Sequence, residues 1–160
     1  MTATRVLFVC LGNICRSPAA EGVFVHLLAQ QDLGDRFVVD SAGTGGWHVG
    51  LRADERMRAA AARRGIELTS RARQIELGDL HSFDHIVTMD ADNLAAVRAL
   101  AREAGNPASQ AQISAMTDYC RVHSGVREVP DPYYGGPQGF DHVLDLLEDA
   151  CGGLLEELLR

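Results

Sequence analysis

Five residues separate Cys10 from Arg16 in Cys10-Leu11-Gly12-Asn13-Ile14-Cys15-Arg16-Ser17-Pro18. In a chain with 15 arginines that spacing alone is weak evidence; its surroundings make it specific. The cysteine closes an apolar run, Gly and Asn occupy the loop, and Ser-Pro reads as the opening of a helix. A loop bent between a strand end and a helix start can turn its backbone N–H groups inward. Gly12 and Asn13 tolerate the left-handed conformations such a nest requires. The helix N-terminus adds partial positive charge. Leu11, Gly12, Asn13, Ile14, Cys15, Arg16 and Ser17 would then form a cup for a tetrahedral dianion, with Arg16 binding two of its oxygens in a planar fork. Cys10 lies at the base of the cup. There the same dipoles, Arg16 and the Ser17 hydroxyl favour a thiolate, placed for in-line attack on phosphorus.

Phosphoryl transfer from an aryl ester releases a phenolate, which departs better once protonated, so the chain must supply an acid. Asp131, in Val129-Pro130-Asp131-Pro132-Tyr133-Tyr134-Gly135-Gly136, is the candidate. The flanking prolines restrict the backbone, and two tyrosines beside a held carboxyl fit an aromatic-walled cleft. Without the Cys10 loop the same segment would read as a Pro-Asp-Pro turn with surface tyrosines.

The elements that position these residues follow from periodicity. Arg5–Val9 reads as a fully buried strand, because its apolar run is continuous. A helix starting at Ser17-Pro18, with Ser17 as N-cap, carries Ala20, Val23, Phe24, Leu27 and Leu28 on one face and ends at Gly34. Phe37–Asp40 is a second strand, followed by a glycine-rich loop over 43–50. Ala53–Arg64 is a helix stopped by Gly65. His85–Met89 is a third strand, Asp92–Ala104 a helix closed by Gly105, and Gln112–Met116 a weaker fourth strand. Gly139–Leu159 is a closing helix that Gly152-Gly153 should weaken, by about 1 kcal/mol per glycine. Strands alternating with helices imply an α/β fold, a doubly wound parallel sheet over residues 1–160 as one domain. Ligands bind such sheets outside the carboxyl ends of the strands, so the loop after the first strand is where a ligand should sit.

Composition narrows the chemistry. All 15 basic residues are arginine. The usual P-loop NTPase, the protein kinases and enzymes using a lysine Schiff base are therefore excluded. The net charge is -7, which argues against nucleic acid as a partner. It is unevenly spread: residues 1–74 carry ten arginines against seven acids, residues 75–160 five against fifteen. The basic half could attract an anionic substrate, although the Arg52–Arg73 run also fits a solvated helix face. The longest apolar run, Val6–Leu11, is too short for a membrane helix or a signal peptide, so the expectation is a soluble, cytoplasmic protein without a membrane partner. The four cysteines form no C-x-x-C. His81, His85, Cys120 and His123 lack the paired pattern of a zinc module, so no metal is expected.

V-L-F-V-C-L-G-N-I-C-R-S-P-A-A-E-G-V-F near the N-terminus and D-P-Y-Y-G near the C-terminus closely resemble the low-molecular-weight protein tyrosine phosphatases. D-S-A-G-T-G-G-W-H-V-G, R-A-R-Q-I and M-D-x-x-N-L match between them, so the resemblance covers essentially the whole chain. It implies a four-stranded parallel sheet with helices on both faces and no cofactor or metal. It also implies hydrolysis of phosphotyrosine and aryl phosphates through a cysteinyl-phosphate. On that resemblance Cys10 is the nucleophile and Arg16 clamps the phosphoryl oxygens. Asp131 protonates the leaving phenol and then activates water. Ser17 supports the thiolate, and Asn13 shapes the loop with polar neighbours that include Ser41. Trp47, Tyr133 and Tyr134 wall the pocket, and Leu11 and Ile14 complete its apolar rim. Partners would be a phosphotyrosine protein, with a tyrosine kinase among the candidates, and inorganic phosphate or vanadate as ligand. One departure stands out: many members carry a His just before A-R-Q, bonded to the loop Asn, where this chain has Ser70.

Three other readings compete. Protein arginine phosphatases share this fold and loop but typically carry Thr where this chain has Ile14, and the bulkier Ile favours an aryl phosphate. Arsenate reductases of this fold need additional cysteines near the third strand, and 81–92 has none. A flavodoxin-like binding module would place its phosphate loop after the first strand, whereas S-A-G-T-G follows the second. Cys15 has two readings. It could intercept an oxidised Cys10 as a reversible disulfide, a role the resemblance supports, or it could pack as a small apolar residue behind the loop.

Overall fold

The apolar run Arg5–Val9 lies within strand β1 (Thr4–Cys10). In the computed structural model, which describes residues 2–160, β1 is an inner strand of a four-stranded sheet with β2 (Phe37–Gly43), β3 (His85–Thr88) and β4 (Gln112–Ala115). The strand order is β2-β1-β3-β4 and every pairing is parallel. Val6 to Cys10 are all buried because both faces of β1 are covered, hence the unbroken apolar pattern. Val6, Phe8 and Cys10 pack with residues of α1 (Arg16–Gln30), α2 (Glu55–Ala62) and α5 (Pro137–Leu158). Leu7 and Val9 pack on the other side with Leu80 of α3 (Asp79–Ser82) and Val97 of α4 (Ala91–Ala104). Helices thus cover both faces, as expected, and the loop after β1 opens at the carboxyl edge. No helix among the described residues is long and apolar enough to cross a membrane.

Element ends depart from expectation where side chains found other partners. Ser17 is not the N-cap of α1. The helix starts at Arg16 with Cys15 in the cap position and no side-chain cap, and the Ser17 hydroxyl is used inside the loop. α1 stops at Gln30, before Gly34, and it is Asp32 that takes the left-handed backbone (φ 57°). Asp54 caps α2 by accepting from Arg56 and Met57 N–H, and Asp90 caps α4 by accepting from Asn93 N–H. β2 runs on to Gly43, β4 gives way to a 3-10 turn at Met116, and the short α3 was not foreseen. α5 begins at Pro137 rather than Gly139 and continues through Gly152-Gly153. A Cβ on Gly153 would lie 2.0 Å from the Tyr119 carbonyl oxygen. Glycine therefore lets α5 lie directly against the Met116–Tyr119 turn, and that contact accounts for a residue which helix propensity alone disfavours.

Candidate active site

The loop from Cys10 to Ser17 is built inside out. The Cys10 and Leu11 carbonyls accept from Thr44 and Gly45 N–H at 2.9 Å, and the Ile14 carbonyl from Asp54 N–H at 2.8 Å. Across a trans peptide the next N–H points the opposite way, so the N–H groups of Leu11, Gly12 and Cys15 turn into the cup. Asn13 makes the reversal possible at φ 57°, a conformation Asn tolerates better than most residues. Its own N–H donates to Cys10 Sγ at 3.3 Å, and Ser17 Oγ lies 3.0 Å from the same sulfur.

The Asn13 side chain is held on three sides. Nδ2 donates to Ser17 Oγ at 2.8 Å and to Ser41 Oγ at 3.0 Å, while Oδ1 accepts from Arg73 N–H at 3.0 Å. The R-A-R-Q-I segment is positioned for this because Gly43 N–H donates to the Arg73 carbonyl and Ile75 N–H to the Gly43 carbonyl. Ser41 and Ser17 therefore stand where loop support was expected. Asn13 is secured without an imidazole at position 70.

Arg16 is buried, at 3% exposure. Nη1 donates to Asp90 Oδ2 at 2.6 Å and to the Val129 carbonyl at 3.1 Å, while Nη2 lies 3.7 Å from Asp131 Oδ2. Burial would ease deprotonation of the guanidinium, but the Asp90 hydrogen bond and the charges of Cys10, Asp90 and Asp131 outweigh it and hold the group further toward the cation. Asp131 is braced by its own turn: Oδ1 accepts from Tyr133 N–H at 3.0 Å, leaving Oδ2 toward Arg16.

Cys10, Arg16 and Asp131 meet in a cleft of about 430 Å³ whose walls include Leu11, Ile14, Trp47, Tyr133 and Tyr134. Asn13 and Ser17 lie beneath the loop rather than on the cleft surface. Tyr133 and Tyr134 meet edge to face at 4.9 Å. Arg56 braces this wall from behind: it lies over the Tyr133 and Phe140 rings, donates to the Tyr133 carbonyl at 2.9 Å and pairs with Asp54. Cys15 is buried and carries a free thiol. Burial, then the charges of Asp54, Cys10 and Asp131, push that thiol far above its ordinary range, so it is protonated.

The family model for low molecular weight phosphotyrosine protein phosphatase matches residues 5–160. The chain belongs to that family. A Synechocystis chain bearing the low molecular weight protein-tyrosine-phosphatase name is 49% identical over 156 residues, spanning 96% of both. The crystal structure of a protein tyrosine phosphatase from Entamoeba histolytica with Hepes in its active site superposes with a TM-score of 0.90 at 42% identity, covering 98% of this chain and 97% of that one. A Drosophila arginine phosphatase structure superposes nearly as well, TM-score 0.88 at 32% identity, over 97% and 98% of the two chains. Fold alone therefore does not separate the two substrate classes within this phosphatase architecture.

Several residues of this phosphatase site escaped sequence reasoning. Asp90 stands in the matching M-D-x-x-N-L motif, but nothing in that motif says that one of its oxygens orients Arg16; that needs the tertiary fold. His48 lines the cleft, its ring 6.2 Å from that of Tyr133, a placement that nothing in its local sequence signals. Arg56 was counted among the arginines of a solvated helix face.

Proposed function

We propose that the protein hydrolyses phosphotyrosine in proteins through a cysteinyl-phosphate on Cys10. The observation that carries this reading is the convergence of Cys10, Arg16 and Asp131 in one aromatic-walled cleft, with Arg16 Nη2 3.7 Å from the Asp131 carboxyl. The phosphoryl group sits in the cup on inward N–H groups and Arg16. The Cys10 thiolate attacks phosphorus as the bond to the aryl oxygen breaks, and Asp131 gives its proton to the departing phenol. Asp131, now a carboxylate, takes a proton from water as that water attacks phosphorus. The S–P bond breaks, inorganic phosphate leaves, and Ser17 Oγ, 3.0 Å from the sulfur, supports the returning thiolate. The buried Ile14 at the cleft floor favours a flat aryl ester over phosphoarginine. The residues described supply the whole sequence of steps without a cofactor. Free thiols at all four cysteines suit a reducing cytoplasm, where a tyrosine kinase is a candidate partner.

The test measures phosphate release from phosphotyrosine and phosphoarginine peptides, with p-nitrophenyl phosphate as control. The expected result is turnover of both aryl esters, little of phosphoarginine, and a phosphorylated Cys10 in quenched reactions. Cys10→Ser should abolish turnover yet still bind phosphate or vanadate, and Arg16→Lys should fail because an ammonium lacks the planar fork. Near-normal turnover by Cys10→Ser would overturn the mechanism. Preferred hydrolysis of phosphoarginine would overturn the substrate assignment.

A further inference from the structure

The hydrogen-bonded chain behind Cys10 does not stop at Ser41. Ser41 Oγ lies 2.6 Å from Glu21 Oε1, a carboxyl one turn along α1 from Ser17. The hydrogen bonds of this chain run in one consistent direction. Arg73 N–H donates to Asn13 Oδ1, so both Nδ2 hydrogens of Asn13 face hydroxyl oxygens, those of Ser17 and Ser41. Ser41, already accepting from Asn13, spends its single hydrogen on Glu21. Ser17, also accepting from Asn13, can give its hydrogen to Cys10 Sγ at 3.0 Å or to the Ala42 carbonyl at 3.4 Å, and a Cys10 thiolate, which can only accept, draws it to the sulfur. A Ser41 hydroxyl with no acceptor behind it is free to rotate toward Asn13, setting donor against donor and releasing the amide that orients Ser17.

The surroundings of Glu21 suit this task. Ser70 stands beside Glu21, and its hydroxyl favours the charged form of the Glu21 carboxyl. Beside them lies a cavity of about 50 Å³ lined in part by Pro18, Thr69 and Glu67. Charged groups face Glu21 from two further elements: Asp40 on β2 and Arg73 in the segment after position 70. Burial raises the carboxyl above its ordinary range, Asp40 adds to that, and Ser41, Ser70 and Arg73 oppose it.

We propose that Glu21 is a positioning residue for the nucleophile, orienting the Ser17 hydroxyl toward the Cys10 thiolate through Ser41 and Asn13. The proposal rests on Cys10 being the nucleophile but not on which phosphate ester is the substrate. Its readout is alkylation of Cys10 by iodoacetate across pH, followed by peptide mass spectrometry and measured apart from turnover. In Glu21→Leu the pH of half-maximal alkylation should rise by about one unit, equivalent to one lost hydrogen bond to a charged group. On p-nitrophenyl phosphate kcat should fall about tenfold while KM changes less than about twofold. Glu21→Gln keeps a carbonyl acceptor for Ser41 and gains an N–H for Ser70, and should restore both quantities to near wild type. Ser41→Ala breaks the same chain without touching α1, so it tests the proposal even if Glu21→Leu does not fold. It should reproduce the alkylation shift, and Glu21→Gln added to it should change nothing further. An alkylation profile in Ser41→Ala or in folded Glu21→Leu that matches wild type would overturn the proposal. So would costs of Glu21→Leu and Ser41→Ala that multiply in the double variant. Failure of wild type to hydrolyse aryl phosphates would instead overturn the phosphotyrosine reading and leave the alkylation result standing.

Discussion

Replacing Asp131 with Asn should move catalysis and anion binding in opposite directions. Arg16 Nη1 is occupied by Asp90 and the Val129 carbonyl, which leaves Nη2 and Nε as the fork for the phosphate, and Asp131 Oδ2 stands 3.7 Å from Nη2. A carboxylate there competes with the incoming oxyanion for Arg16 and repels it. Unit charges at that separation interact by about 4 kcal/mol at an effective dielectric constant of about 20. The Asp131 side chain is 43% exposed, and exposed pairs retain about 0.2–1 kcal/mol. Asp131→Asn should therefore bind phosphate or vanadate up to about fivefold more tightly at low salt, with the gain fading near 1 M salt, where the screening length is about 3 Å. The rate on phosphotyrosine should fall by about 10²–10⁴, and the loss should shrink for aryl esters with very acidic leaving groups. Calorimetric titration with phosphate, paired with a leaving-group series, measures both. Unchanged or weaker phosphate binding at low salt would refute the competition for Arg16, and a rate loss independent of leaving-group acidity would assign Asp131 a structural role.

Three further outcomes are expected. Arg56→Ala removes the brace behind Tyr133 and should raise KM for phosphotyrosine peptides about twofold to fivefold with a smaller effect on kcat, read by steady-state kinetics. After peroxide treatment and then dithiothreitol, wild type should recover most of its activity and Cys15→Ser much less; because the Cys15 thiol is held protonated, protection should set in faster as pH rises. Equal recovery would make Cys15 a packing residue only. Asp149 accepts from the N–H groups of Arg121, Val122 and His123 and from the His123 ring. Burial opposes its ionisation, but these donors prevail and hold its carboxyl well below the usual range. A depressed carboxylate stabilises the fold above its unfolded pKa and loses that contribution as pH falls. Asp149→Asn should therefore cost about 1–3 kcal/mol in urea unfolding at pH 7, and the gap should close as pH drops from about 5 toward 2.

What could be read from the chain without its fold was whatever depends on local order. The buried strand, the left-handed Asn13 and the cup after β1 follow from neighbouring residues. So does the placement of Asp131 between two prolines. Arg73, Asp90 and Glu21 could not be read this way, because each acts on the loop from 8 to 74 positions away, counting Glu21 from Asn13 and Asp90 from Arg16. Their roles depend on which strands become neighbours. Ser17 shows the opposite failure: its sequence context named it a cap, but the sulfur and the amide of Asn13 were stronger claims on its hydroxyl. Gly152-Gly153 looked like a flaw in α5 until the Tyr119 carbonyl appeared beside it.

The two oxygens of Asp90 have separate employers: Oδ1 closes the first turn of α4 and Oδ2 steadies Arg16. That division makes the end of a helix on the far side of the sheet a gauge of occupancy. An anion that immobilises Arg16 also immobilises Asp90, and so suppresses fraying of the first α4 turn. Amide hydrogen exchange at Asn93 should slow when phosphate fills the cup, although Asn93 lies outside the cleft. One carboxylate thus ties the anion cup to the first turn of α4.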